Sequence, residues 1–314
     1  MPVGNASGYP NYAYEGLSKL IPILWAADAR EKFYASTCLP DITNQNILGA
    51  AEIKNMGDRI WINTVPDVPI NDYVRGELLN VDYLESPAIE MTVDYAKQFN
   101  FAVDEIDLKQ VKIKDWISRY AEDANKQMKI HIETKVLAGI YGGVDAANTG
   151  LTAGKISANI NLGTVASPLT LTKSNVLSKI IQCSQVLGEQ NIPKDGQWWM
   201  VIPEAMSTVL QDSDLKNVSM TGDSSSVMRN KGLLGEISRF KLYESNLLPM
   251  ESDGSYHILF GHRMAIWFVS QYTKVKMYEP ERGFAQAMKG LNVYGYGVLQ
   301  PTAMGQMVAS ISYS

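Results

Sequence analysis

The sequence predicts an α+β chain: a compact α/β region with long elements projecting from it. Three observations carry that prediction. A strand pattern runs past ordinary length, one amphipathic helix is unusually long, and a small-residue stretch separates both from a region of mixed helices and strands. The strand pattern occupies 89–103, where Ile89, Met91, Val93 and Tyr95 alternate with Glu90, Thr92, Asp94 and Ala96. The same phase resumes at Phe99, Phe101 and Val103, with Lys97 as the break. As one strand it would reach about 50 Å at about 3.3 Å per residue, against a usual length of about 5–6 residues. A bend near Lys97–Gln98 is therefore expected to divide it.

The helix follows. Ile113, Trp116, Ile117, Tyr120, Ala124, Met128, Ile132, Val136 and Ile140 recur at helical spacing along one face. Lys114, Arg119, Glu122, Asp123, Lys126, Lys129 and Glu133 are expected on the other sides. Asp107 is a cap candidate upstream, and Gly142-Gly143 stops the helix. From Asp115 to Tyr141 it would span about 40 Å at about 1.5 Å per residue. Residues 142–170 are rich in Gly, Asn and Thr and mark a boundary. Beyond it, Asn175–Glu189 reads as an amphipathic helix and Gln197–Ile202 as a buried strand. Pro203-Glu204-Ala205 suits a first helical turn. Gly235–Ser245, His257–Val269 and the C-terminal alternations around Thr273–Met277 and Gly290–Gly295 read as strands, and Asp212–Lys231 as a loop.

Two segments have no obvious place within a core. Tyr14–Tyr34 carries an apolar stripe of Leu17, Leu20, Ile21, Leu24, Trp25 and Phe33, with Pro22 as a kink or a new start. It can pack within the chain or on a neighbour. Gly57–Ile62 opens a strand, and Val65–Pro87, with three prolines and five acidic residues, separates it from the strand at 89. The pair reads as an extended two-stranded arm, which is rarely stable alone.

Composition removes several function classes. A net charge of −5, from 28 basic and 33 acidic residues, argues against a dedicated nucleic-acid-binding domain. Cys38 and Cys183 are too few for a disulfide framework and form no zinc motif. No run approaches the ~18–20 apolar residues of a membrane span, and no secretory signal is seen. Ala153–Ser157 lacks the first glycine of a phosphate loop, and Gly295-Tyr296-Gly297 lacks the third of a dinucleotide site. His131 reads as a solvated or packing position. His257 and His262 lie five apart on one strand, on opposite faces, so they are not expected to share a metal. Both cysteines read as packing groups. No catalytic, cofactor-binding or metal-binding residue is assigned, and a structural protein is expected in place of an enzyme.

Taken in order, these elements resemble the major capsid protein of tailed bacteriophages, the Hong Kong 97-like fold also seen in encapsulin shells. The resemblance runs from about residue 14 to the C-terminus. It rests on Ile23-Leu24-Trp25-Ala26 leading to Phe33-Tyr34, Gly57-Asp58-Arg59-Ile60, Phe101–Asp107, Val201-Ile202-Pro203-Glu204, Gly235-Glu236-Ile237 with Leu242–Pro249, and Glu279–Phe284 with Lys289-Gly290-Leu291. It implies an N-terminal arm (1–56), an extended loop (57–88), a peripheral domain (89–142 with 270–314, its spine helix near 109–141) and an axial domain (143–269).

It further implies hexamers and pentamers of the chain closing into an icosahedral shell around double-stranded DNA, in a virion assembled in the host bacterial cytoplasm. A portal and a separate scaffolding protein are implied partners, the latter because an arm helix starting near residue 14 leaves no room for a built-in scaffold. No membrane and no cofactor are expected. Some relatives cross-link through a loop lysine. Residues 57–88 contain none, the nearest being Lys54 and Lys97, so no cross-link is expected. The alternatives are an encapsulin-like compartment holding cargo enzymes and a soluble enzyme with an unrecognised site.

Overall fold

A computed structural model of the chain describes residues 34–44, 59–63, 68–70, 72, 75–76, 83, 88–104, 116–213, 235–281 and 283–313. In chain order the strands are β1 (Arg59–Asn63), β2 (Ala88–Thr92), β3 (Tyr95–Asp104), β4 (Leu169–Leu171), β5 (Trp198–Ile202) and β6 (Glu236–Ile237). They continue with β7 (Phe240–Glu244), β8 (Tyr256–His262), β9 (Ile266–Tyr278), β10 (Ala285–Val298) and β11 (Met304–Ile311). The helices are α1 (Leu39–Ile42), α2 (Trp116–Ile140), α3 (Val176–Glu189) and α4 (Glu204–Gln211). The expected arm helix before Tyr34, most of the loop 64–87, Asp107 and the bulk of the 212–231 loop lie outside the described residues.

All five residues of β5 are buried, as a strand covered on both faces requires. It sits inside a six-stranded sheet ordered β4-β11-β8-β5-β7-β6. Alternation then sorts its side chains. Trp198, Met200 and Ile202 join a core with Ile180, Cys183 and Leu187 of α3 and Met206 and Leu210 of α4. Trp199 and Val201 join a second core with Ile132, Val136, Leu137 and Ile140 of α2. The sheet is thus a wall between two cores. A second sheet has the order β3-β10-β9, and β1 pairs with β2 apart from both.

Three expectations need correcting. The long alternating run divides at Val93–Asp94, not Lys97–Gln98: β2 pairs with β1, and β3 pairs with β10. Alternation continues through the change of partner, so periodicity could not locate it. Gly235–Ser245 is a tight hairpin, β6–β7, turning at Ser238 (φ 46) and Arg239 (φ 76), a geometry usually given to Asn or Gly. His257–Val269 is interrupted by a 3-10 turn at Arg263–Ala265, where His262 Nδ1 accepts the Met264 N–H at 3.2 Å. The segment 270–314, expected with 89–142, contributes strands to both larger sheets. β11 pairs with β8 and β4 inside the six-stranded sheet, within the body expected to end at 269.

The loop that mimics part of a phosphate site is built around the protein's own anion. Gly154 (φ +106) turns the chain so that the N–H groups of Ile156 and Ser157 both donate to Glu189 Oε2 at 2.9 Å. Burial opposes the charge. The Ser157 and Ile156 amides and the Gln185 side chain nevertheless hold the Glu189 carboxyl down to about 2, from an ordinary 4.5. A depressed carboxyl stabilises the fold above its unfolded value and loses that contribution as pH falls through its folded one. Glu189→Gln is therefore expected to lower the thermal unfolding midpoint at neutral pH. The deficit should shrink between pH 4.5 and about 2. Thermal melts of both chains across that range check it, and a deficit independent of pH refutes it.

Candidate assembly surfaces

β1 and β2 pair antiparallel from Arg59↔Thr92 to Asn63↔Ala88, which makes a ribbon with the loop 64–87 at its far end. Its root is anchored. Met91 and Val93 are buried, and Val93 packs on Val293, Val269 and Leu291. Gly295 makes the crossing possible, since a Cβ there would lie 2.7 Å from the Thr92 carbonyl oxygen and 3.1 Å from Val93 Cα. Farther out, Val68, Ile70 and Tyr83 are exposed, Ile70 at 90% and Tyr83 at 93%. Apolar side chains left this open within their own subunit are candidates for burial on another.

The opposite face of the β3-β10-β9 sheet carries α2. Register places Phe101, Met288 and Met277 in one row and Phe99, Gly290 and Val275 in the next. The Phe99 ring lies on Gly290, filling the space a Cβ would need. Phe101 meets Tyr120 of α2 with ring centroids 5.8 Å apart, and Tyr296 lies against Gly139. Val275 and Met277, on the outer strand of this face, remain half or more exposed, as does Phe284 at 85% just before β10.

Residues 34–44 form a strap on the α2 side. Tyr34 Oη donates to Asp123 Oδ1 at 2.7 Å, and the Lys126 ammonium sits 4.7 Å from its ring centroid. The Cys38 and Leu39 N–H groups donate to Glu133 at 3.0 and 3.1 Å. Arg263 Nε donates to the Thr43 carbonyl at 3.0 Å, and Asn44 N–H to the Ile266 carbonyl at 2.9 Å. The strap therefore binds α2 and the start of β9 together. Beside it opens a cleft of about 440 Å³, lined by Ser36, Asp41, Glu204, Tyr243 and Asn246 among others.

The strap also corrects the reading of α2. Glu133, expected on a polar side, is 1% exposed. Its partners come from a segment about 95 positions earlier in the chain, a relation no helical period can reveal. Both cysteines are buried as expected. Burial, with Glu133 alongside, pushes the Cys38 thiol far up, and burial lifts Cys183 to about 12. Neither is poised as a thiolate.

His131 is exposed on α2. His257 Nε2 pairs with Glu251 Oε1 at 2.8 Å under a stacked Tyr141 ring, with Gln306 at its Nδ1. His262 Nε2 pairs with Asp195 Oδ1 at 3.0 Å. Burial works against the Asp195 charge, but His262 and the Gln197 N–H hold its carboxyl below the usual range. The two histidines thus serve separate carboxylates at the two ends of β8. Sequence reading missed both pairs, whose acidic members lie in loops. Among the described residues no three His, Cys, Asp or Glu side chains are grouped to hold a metal, and no helix is long and apolar enough to cross a membrane.

Among the described residues this arrangement presents several exposed apolar surfaces. The model of the phage capsid protein family matches residues 89–305, more than half of the chain. The chain belongs to the phage capsid protein family. Solved structures agree on the fold. A Mycobacterium phage Che8 chain is similar at TM-score 0.72 and 20% identity, over 91% of this chain and 96% of that one. A chain from the capsid of cyanophage P-SCSP1u is similar at 0.67 and 15% identity, over 95% of each. One from the mature capsid of bacteriophage PhiM1 gives 0.64 and 13%, over 93% and 92%. A search of curated proteins finds no match. The capsid protein is a structural, self-assembling component of the virion, with the mixed α+β fold of phage major capsid proteins. The compartment-shell and enzyme alternatives are not favoured.

Proposed function

We propose that this capsid protein is the shell-forming subunit of a tailed phage, arranged in hexamers and pentamers as an icosahedral container for double-stranded DNA. The observation that carries the reading is the anchoring of two segments on opposite sides of one three-stranded sheet. The ribbon crosses the face of Leu291 and Val293, and the strap runs along the α2 side. The ribbon leads away from its anchor toward Val68, Ile70 and Tyr83, which the subunit itself leaves uncovered. Segments of this kind, buried on adjacent copies, give large multivalent contacts.

On this reading 1–56 is the arm and 57–88 the extended loop. The peripheral domain is 89–142 with 270 to the end of β10, and the axial domain is 143–269 completed by β11. The subunit carries no catalytic activity and forms no loop-lysine cross-link. A separate scaffolding protein and a portal complete the shell, which assembles in the host cytoplasm. The acidic balance suits a container that does not grip its DNA tightly.

Negative-stain microscopy and light scattering test the reading, with the chain expressed alone and beside its phage's scaffolding protein. Uniform closed shells are expected only in the second case, with nucleic acid in particles taken from infected cells. A chain that stays monomeric in both overturns the shell reading. Uniform closed shells from the chain alone overturn the need for a scaffold, and a loaded enzyme in native particles overturns the DNA-container role.

A further inference from the structure

Glu133 holds the strap with a buried carboxylate. Among the described residues no lysine, arginine or histidine forms an ion pair with it. The strap's Cys38, Leu39 and Ile42 share one core with Met128, Ile132, Val136 and Leu137 of α2, the helix that carries Glu133. Both oxygens accept the Cys38 N–H at 3.0 Å, Oε2 accepts the Leu39 N–H at 3.1 Å, and the Cys38 thiol donates at 3.4 Å. A carboxylate removed from water is costly unless donors face it, and most of these donors belong to the segment being held. Attachment and ionisation are therefore one equilibrium: with the strap in place the carboxyl is buried, and with the strap lifted it meets water.

We propose that Glu133 is a proton-operated latch for residues 34–44, which grip α2 more firmly when the carboxyl is protonated and loosen as pH rises. Burial raises the Glu133 carboxyl above its ordinary 4.5, against the pull of the Cys38 and Leu39 amides and the Ser245 hydroxyl. The attached state thus binds the proton more tightly than the detached one, so acid favours attachment. That advantage disappears as pH climbs through the raised value.

The other charged and titratable groups nearby come from every element around the strap. Asp41 of α1, Glu204 of α4, and Tyr243 and Glu244 of β7 border the adjoining cleft. Arg263 holds the Thr43 carbonyl, and Lys129 lies one turn back on α2. The groups that act directly on the Glu133 charge are the Cys38 and Leu39 amides and the Cys38 and Ser245 side chains, all of which favour ionisation against burial. The Cys38 thiol stays protonated throughout.

The latch concerns how one copy holds its own strap and goes beyond the shell reading, so the unassembled full chain suffices to test it. Hydrogen–deuterium exchange is followed from about pH 5 to about pH 8, corrected for intrinsic exchange. Protection of the Cys38 and Leu39 amides is expected to fall several-fold in the natural chain and to stay level in Glu133→Gln. The mutually bonded Ala153 and Ile160 amides serve as the unaffected control. An equal fall in both chains, or none in the natural one, overturns the proposal. Should Glu133→Gln fail to fold, carbon-13 titration of the glutamate carboxyls in the natural chain decides. Glu133 is expected to titrate above the exposed glutamates, and titration together with them overturns the latch.

Discussion

Replacing Ile70 and Tyr83 together by aspartate is expected to abolish particle formation while leaving the subunit folded. Both side chains lie nine-tenths or more in solvent on the ribbon's far part, so neither supports the fold of its own copy. Covered by a neighbour, each apolar side chain contributes about 1.5–3 kcal/mol per contact. An aspartate in the same place adds the several-kcal/mol cost of an unpaired charge removed from water. A shell repeats the contact at every subunit, so a deficit of that size leaves no stable assembly. Sedimentation and negative-stain images should show free subunits or capsomers, and circular dichroism melts should match the parent chain. Particles indistinguishable from the parent's would remove the ribbon from the assembly contacts.

Trp198→Ala is expected to destabilise the subunit itself by about 3–5 kcal/mol. The indole is 1% exposed, its Nε1 donates to the Pro193 carbonyl at 2.6 Å, and its ring lies 5.6 Å from that of Phe240. Truncation removes the largest side chain of one core, leaves the Pro193 carbonyl without its donor, and strips the face beneath Arg239, whose guanidinium sits 5.9 Å from the ring. Because β5 is shared, the damage reaches Trp199 and the second core behind it. Urea denaturation of the unassembled chain measures the loss. A loss under about 1 kcal/mol would mean that the α3–α4 side closes over the cavity.

Periodicity made α2 and α3 legible, since each commits one face to burial and the apolar residues keep that face's spacing, while β5 was legible as an unbroken apolar run. Periodicity failed where a decision depended on partners. The exchange of β1 for β10 at Val93–Asp94 leaves the alternation untouched. The Ser238–Arg239 turn has neither Asn nor Gly, the residues that positive φ usually selects. Nothing in a strand's own pattern says which sheet it enters, although the unbroken burial of Met304–Ala309 marks β11 as an interior strand. Of the assembly surfaces, the ribbon was readable from its prolines and acidic residues. The strap was not, because the anchor Glu133 resembles any solvent-facing glutamate on a charged helix.

Where neighbouring copies hold the segments beyond both anchors, the positions of those anchors set a mechanical condition on any layer made from the copies. A tether fixed above the mid-plane and another fixed below it respond oppositely when the layer is curved, one being drawn taut as the other slackens. The rest lengths of the two tethers would then set the preferred radius of the layer, with no hinge required inside the folded body.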